Sequence, residues 1–96
     1  MNTRVENKSV KKKKKEAFVF KAPNAKVVQL AGDFTNWEKN PIALKKTPDG
    51  VWQTTIEIEP GKYHYRFLVD GEWQDDRNSP MQPNPFGSNN AIREVV

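Results

Sequence analysis

The sequence contains no cysteine and only one histidine, His64. Those two scarcities exclude a disulfide framework, a thiolate metal site and a histidine-rich metal centre. Long apolar runs are missing too. No segment approaches the roughly 20 residues that cross a bilayer, and the N-terminus lacks the apolar centre of a signal peptide. The expected compartment is therefore the cytoplasm, with no membrane span. No glycine-rich phosphate loop occurs, and no cofactor is expected. The 96 residues allow one domain, far short of the roughly 250 that a catalytic (β/α)8 barrel takes.

The charge is unevenly distributed. Residues 1–15 carry seven basic side chains, Arg4, Lys8 and Lys11 to Lys15, against Glu6 alone, for a net +6. Residues 16–96 hold the other nine basic and eleven acidic side chains, for a net −2. A short stretch this polar and self-repelling has too little apolar surface to offset the entropy of ordering it, so residues 1–15 read as a disordered lysine-rich arm and 16–96 as the folded domain. Because the excess charge is confined to the arm, no specific nucleic-acid surface is expected of the domain.

From Glu16 onward, short alternating segments separated by Pro, Gly, Asn and Asp replace any helical period, which predicts strands joined by turns. The expected strands are Ala17–Lys21, Lys26–Gly32, Ile42–Lys45, Val51–Glu59, Lys62–Val69, Trp73–Asp75 and Ala91–Val95. About seven short antiparallel strands suit an all-β sandwich. Trp52, Thr54, Ile56 and Ile58 share the inward face of the fourth strand, so Trp52 is expected in the core. Tyr63, Tyr65, Phe67 and Val69 form the core face of the next one. Asp70-Gly71 is a type I′ turn signal, since both central positions need positive φ. It sets a register in which Val69 faces Glu72, Leu68 faces Trp73, and Arg66 faces Asp75. Trp73 and Arg66 then lie together on the face away from the core.

That pairing suggests a binding surface. An indole face suits the C–H-rich face of a glucose ring, and a guanidinium offers planar donors to neighbouring hydroxyls. Trp37 ends the segment Gly32-Asp-Phe-Thr-Asn-Trp37 on a loop beyond a strand and is a second candidate platform. Taken singly, each tryptophan also fits a core position, and Arg66–Asp75 also fits an ordinary cross-strand ion pair. The loop Pro83-Asn-Pro-Phe-Gly-Ser-Asn-Asn90 holds one large apolar residue, Phe86, which either anchors the loop or projects against a ligand; its asparagines can bond sugar hydroxyls. Catalysis finds little support. Asp75 and Asp76 are adjacent, so on an extended chain they point to opposite faces and cannot flank one glycosidic bond; they read as turn or rim residues. His64 has no Ser or Cys in a nucleophile motif and reads as a solvated strand residue.

Three segments, Val28-Gln-Leu-Ala-Gly-Asp-Phe-Thr-Asn-Trp37, Gly61-Lys-Tyr-His-Tyr-Arg-Phe-Leu-Val-Asp-Gly-Glu-Trp73 and Gly87-Ser-Asn-Asn-Ala-Ile92, together resemble carbohydrate-binding module family 48. That family includes the glycogen-binding domain of the AMP-activated protein kinase β subunit and the early-set domains preceding the barrels of branching and debranching enzymes. The resemblance covers Ala17 to Val96. It implies an immunoglobulin-like early-set β-sandwich that binds α-glucan, glycogen or starch, without catalysis. It also implies sugar stacking by Trp37 and Trp73, hydroxyl contacts from Arg66, Ser88 and Asn89, and a groove shaped by Phe86. The loop before Ser88 is one residue shorter than in the kinase module. The chain looks like a stand-alone or excised module.

A second class of function is a protein-interaction or regulatory module packed on a glycogen-metabolising enzyme or kinase, with Trp73 as a contact hot spot and the sugar site vestigial. A third treats the basic arm as an RNA- or membrane-surface anchor; its alternative is a solubilising tail.

Overall fold

The structure, a computed structural model, describes residues 12–85 and 87–96. Most of the expected arm, residues 1–11, and Phe86 lie outside the described residues. Nine strands are found among the described ones: β1 Lys14–Lys21, β2 Val28–Gly32, β3 Ile42–Ala43, β4 Lys45–Lys46, β5 Val51–Ile58, β6 Gly61–Val69, β7 Glu72–Gln74, β8 Met81–Pro83 and β9 Asn89–Val95. A 3-10 turn covers Trp37–Lys39. All the pairings are antiparallel. None of the described helices is long and apolar enough to cross a membrane.

The strands form two sheets, β1-β5-β4 and β3-β2-β6-β9-β8, with β7 also on β6. Each residue of β6 has two edges to satisfy. Tyr65 pairs with Gly32 of β2 and with Ala91 of β9, whereas Leu68 pairs with Gln29 of β2 and Trp73 of β7. Thus β2 covers one edge, and β9 followed by β7 covers the other. The expected register is present: Val69 pairs with Glu72 and Leu68 with Trp73. Its cause is present too, because Asp70 and Gly71 have φ of 50° and 84°. The Asp70 carboxylate accepts from the backbone N–H groups of Lys26 and Val27 through Oδ1, both at 2.9 Å. Those two residues are thereby held outside β2, which starts at Val28 and not at Lys26.

The sheets pack face to face. Phe18 of β1 meets Tyr65 of β6 edge-on at 5.0 Å between ring centres, and Phe20 lies 4.8 Å from Phe67. Val28, Leu30, Leu44, Trp52 and Ala91 complete the buried cluster. Such aromatic pairs contribute about 0.5–1.5 kcal/mol each beyond the area they bury. Trp52 is 8% exposed, as its register requires, and its Nε1–H donates to the Ala22 carbonyl at 2.9 Å.

Besides shifts of one or two residues at other strand ends, three features depart from the sequence reading. β1 starts at Lys14, where Lys14 pairs with Ile58 and Lys15 with Glu57, so these two lysines belong to a strand and not to a disordered arm. The long β5 supplies ladder partners that far, and lysines suit an outermost strand because their charge discourages further pairing. The single strand expected over Ile42–Lys45 is two: Ile42–Ala43 pairs with β2, Lys45–Lys46 pairs with β5, and buried Leu44 marks the crossing between the sheets. β8 was not expected at all. It pairs with β9 alone and ends on a proline, which only a sheet edge tolerates.

Candidate functional site

The outer face of β6 carries His64 and Arg66, alternating with Tyr65 and Phe67 in the core. With Trp73 of β7 and Asn90 of β9 they form the floor of a cleft of about 850 Å³. One wall is Trp37 and Glu38, following β2; the other is Asn84, Pro85 and Ser88, between β8 and β9.

Trp37 reaches the cleft through an unusual backbone. Asn36 and Trp37 both have positive φ, 60° and 55°. Asn tolerates that region; for Trp it is rare, costs on the order of 1–3 kcal/mol, and persists only where the surroundings impose it. Here they do. The Thr35 hydroxyl accepts from the Gly32 N–H at 3.0 Å, and its own proton has the carbonyls of Gly32 and Trp37 as acceptors at 3.1 and 3.0 Å. Asp33 then fixes the ring: Oδ1 accepts from the indole Nε1–H at 3.2 Å, while Oδ2 accepts from the His64 backbone N–H at 2.9 Å. One carboxylate therefore ties the wall to the floor. Gly32 permits the close approach this needs, since a Cβ there would lie 2.5 Å from the His64 carbonyl oxygen.

Trp37 and Trp73 converge, their ring centres 6.3 Å apart and their planes inclined at 66°. Trp73 is 38% exposed. The Arg66 guanidinium lies 5.5 Å from the centre of the Trp73 ring, and Nη2 is 3.1 Å from Asp75 Oδ1. The ion pair is not an aligned hydrogen bond, and the buried Arg66 Nε and Asp75 Oδ1 have no hydrogen-bond partner among the described residues. Both atoms are shielded from solvent, so they are not donors or acceptors for a ligand; what Arg66 presents to the cleft is its guanidinium beside the Trp73 ring.

The structure brings Trp37, Arg66, Trp73 and Ser88 to one cleft. It does not bring Asn89 there. On β9, Asn89 and Ala91 share the parity of the inner face, whereas Asn90 and Ile92 share that of the cleft; Asn90, 8% exposed, takes the place expected of Asn89. Phe86 lies outside the described residues. His64, read from sequence as merely solvated, lines the cleft and has Nδ1 3.3 Å from Asn90 Nδ2. The missed signal was its even spacing from Arg66 on one strand face. Asp75 and Asp76 do point to opposite sides, but Asp76 is no rim residue: it is 7% exposed, and the Tyr65 hydroxyl donates to its Oδ2 at 2.7 Å. Burial pushes the Tyr65 pKa up to about 12, and the Asp76 carboxylate adds to the effect.

Residues 16–96 match the family described as the glycogen recognition site of AMP-activated protein kinase. The chain is 33% identical over 70 residues to 5'-AMP-activated protein kinase subunit beta-1 of Sus scrofa, covering 73% of this chain and 55% of that one. It is 33% identical over 76 residues to the chloroplastic phosphoglucan phosphatase LSF1 of Arabidopsis thaliana, covering 78% of this chain and 13% of the phosphatase. It is 35% identical over 71 residues to the chloroplastic protein PTST homolog 2 of the same plant, covering 73% of this chain and 13% of that protein. The chain thus spans between 13% and 55% of the length of these relatives. With the match extending over all but the first fifteen residues, and with the motifs that carry it lining one cleft, the chain belongs to the glycogen-recognition modules of carbohydrate-binding family 48.

Proposed function

We propose that the chain is a non-catalytic module that holds an α-1,4-linked glucan, such as glycogen, starch or a maltooligosaccharide, in the cleft between Trp37 and Trp73. The observation that carries this reading is the convergence of the two indoles at 66° above a guanidinium. Inclined platforms suit a chain that turns from ring to ring, as α-1,4-linked glucose does, and not a flat ribbon. Trp73 and Trp37 stack on sugar rings, Arg66 and Asn90 bond hydroxyls, and Ser88 borders the groove. The binding is modest for a single site, since an open cleft desolvates only part of each sugar, and is multiplied on a branched polymer. Trp73→Ala is expected to weaken β-cyclodextrin binding about tenfold or more in isothermal titration calorimetry. Unchanged affinity would remove the basis of this reading.

A second reading follows from the relatives being longer than this chain. In it the module works attached to, or associated with, a glycogen-metabolising enzyme or a kinase, and directs that partner to glucan or regulates it. Retained sugar binding separates it from a purely protein-docking module. The proposed compartment is the cytoplasm, although the two Arabidopsis relatives are chloroplastic by name.

A further inference from the structure

On the cleft floor, the surroundings of His64 determine which ring nitrogen carries hydrogen. The polarity can be followed from a backbone donor that has no alternative. The Ser88 N–H donates to Asn84 Oδ1 at 3.1 Å, which orients that amide so that Asn84 Nδ2 donates to Asn90 Oδ1, also at 3.1 Å. The Asn90 amide is oriented in turn, and its Nδ2 meets His64 Nδ1 as a donor at 3.3 Å. A donor against Nδ1 requires a lone pair there, which assigns the ring hydrogen to Nε2. No described residue accepts a hydrogen bond from that Nε2–H.

Resting on the glucan reading above, we propose that His64 is a binding and positioning residue of the cleft. Its Nε2–H donates to a sugar hydroxyl, and its Nδ1 pins the Asn84–Ser88 wall through the two asparagine amides. The consequence is sensitivity to acid. Protonation places N–H against N–H at the Asn90 contact; the amide must turn, Asn90 Oδ1 is withdrawn from Asn84, and the wall loses an anchor. The charged groups around His64 are Asp33 and Glu38 on the opposite wall, Arg66 with Asp75 on the floor, and Lys62 and Glu94 further along the same faces of β6 and β9. The Asp33 carboxylate is already engaged by the Trp37 indole and the His64 backbone.

Because the chain has one histidine, long-range 1H–15N NMR of its imidazole reads this site alone. An Nε2–H tautomer at about pH 7.5 is expected without any sugar; an Nδ1–H tautomer overturns the amide chain. Calorimetry with β-cyclodextrin then reads the wall. The parent's affinity is expected to fall about threefold to tenfold between about pH 8 and about pH 5.5. His64→Gln, whose amide accepts from Asn90 and donates to sugar without titrating, retains the high-pH affinity across that range. His64→Ala is weak throughout. An unchanged affinity for His64→Ala, or the same acid loss in His64→Gln as in the parent, overturns the proposal. If the parent binds no sugar at either pH, the glucan reading itself fails, and the tautomer still decides the amide chain.

Discussion

The two faces of β6 are made from one run of nine residues and do opposite work. Inward, Tyr65 and Phe67 are fully buried, and the one polar group they bring, the Tyr65 hydroxyl, is satisfied by Asp76 and lies 2.7 Å from Ser79 Oγ. Outward, His64 and Arg66 are partly exposed, and the Arg66 Nε has no hydrogen-bond partner among the described residues. The period of two keeps a buried interior and an open cleft one residue apart without either compromising the other. Stability should reside in one face and ligand binding in the other, and the comparison can be broken from either side.

The largest effect is expected on the inner face. Phe67→Ala removes a ring packed against Phe20 and Tyr65 and should destabilise the domain by about 3–5 kcal/mol in urea unfolding. A loss below about 1 kcal/mol would mean that this face is not the core. Next in size is the titration of Tyr65. Its folded pKa is raised from 10.0 to about 12, so the folded state retains a proton that the unfolded chain releases. The stabilisation is full below pH 10, declines as the pH rises from about 10 to about 12, and amounts to roughly 2–3 kcal/mol at most. Unfolding free energies measured across that range should show the decline in the parent and a shallower one in Tyr65→Phe. The smallest effect is expected on the outer face. Arg66→Lys keeps the charge but loses the flat contact with Trp73, and should weaken β-cyclodextrin binding about twofold to fivefold while changing stability by less than about 1 kcal/mol. A large stability loss there would merge the two faces into one structural unit.

Much of this division was legible in the sequence because local rules were sufficient to fix it. The type I′ requirement at Asp70-Gly71 dictated the β6–β7 register, and the register placed Trp73 beside Arg66 and away from Tyr65. Alternation in β5 likewise sent Trp52 inward. What stayed hidden depended on distant partners. Nothing local says that β5 extends the ladder back to Lys14, that Leu44 carries the chain from one sheet to the other, or that Met81–Pro83 finds an edge at β9. The positive φ of Trp37 is imposed by Thr35 and Asp33, and the burial of Asp76 by a tyrosine eleven residues away. The choice between Asn89 and Asn90 turned on one step of strand parity at the start of β9, which pairing with β8 sets.

The central claim, that Trp37 and Trp73 hold sugar while Trp52 holds the core, is tested most directly by a two-dimensional 1H–15N NMR titration with maltoheptaose, following the three indole N–H signals. Saturable shifts at Trp37 and Trp73, with Trp52 little changed, are the predicted result. A shift confined to Trp52, or no indole shift at millimolar sugar, would contradict it.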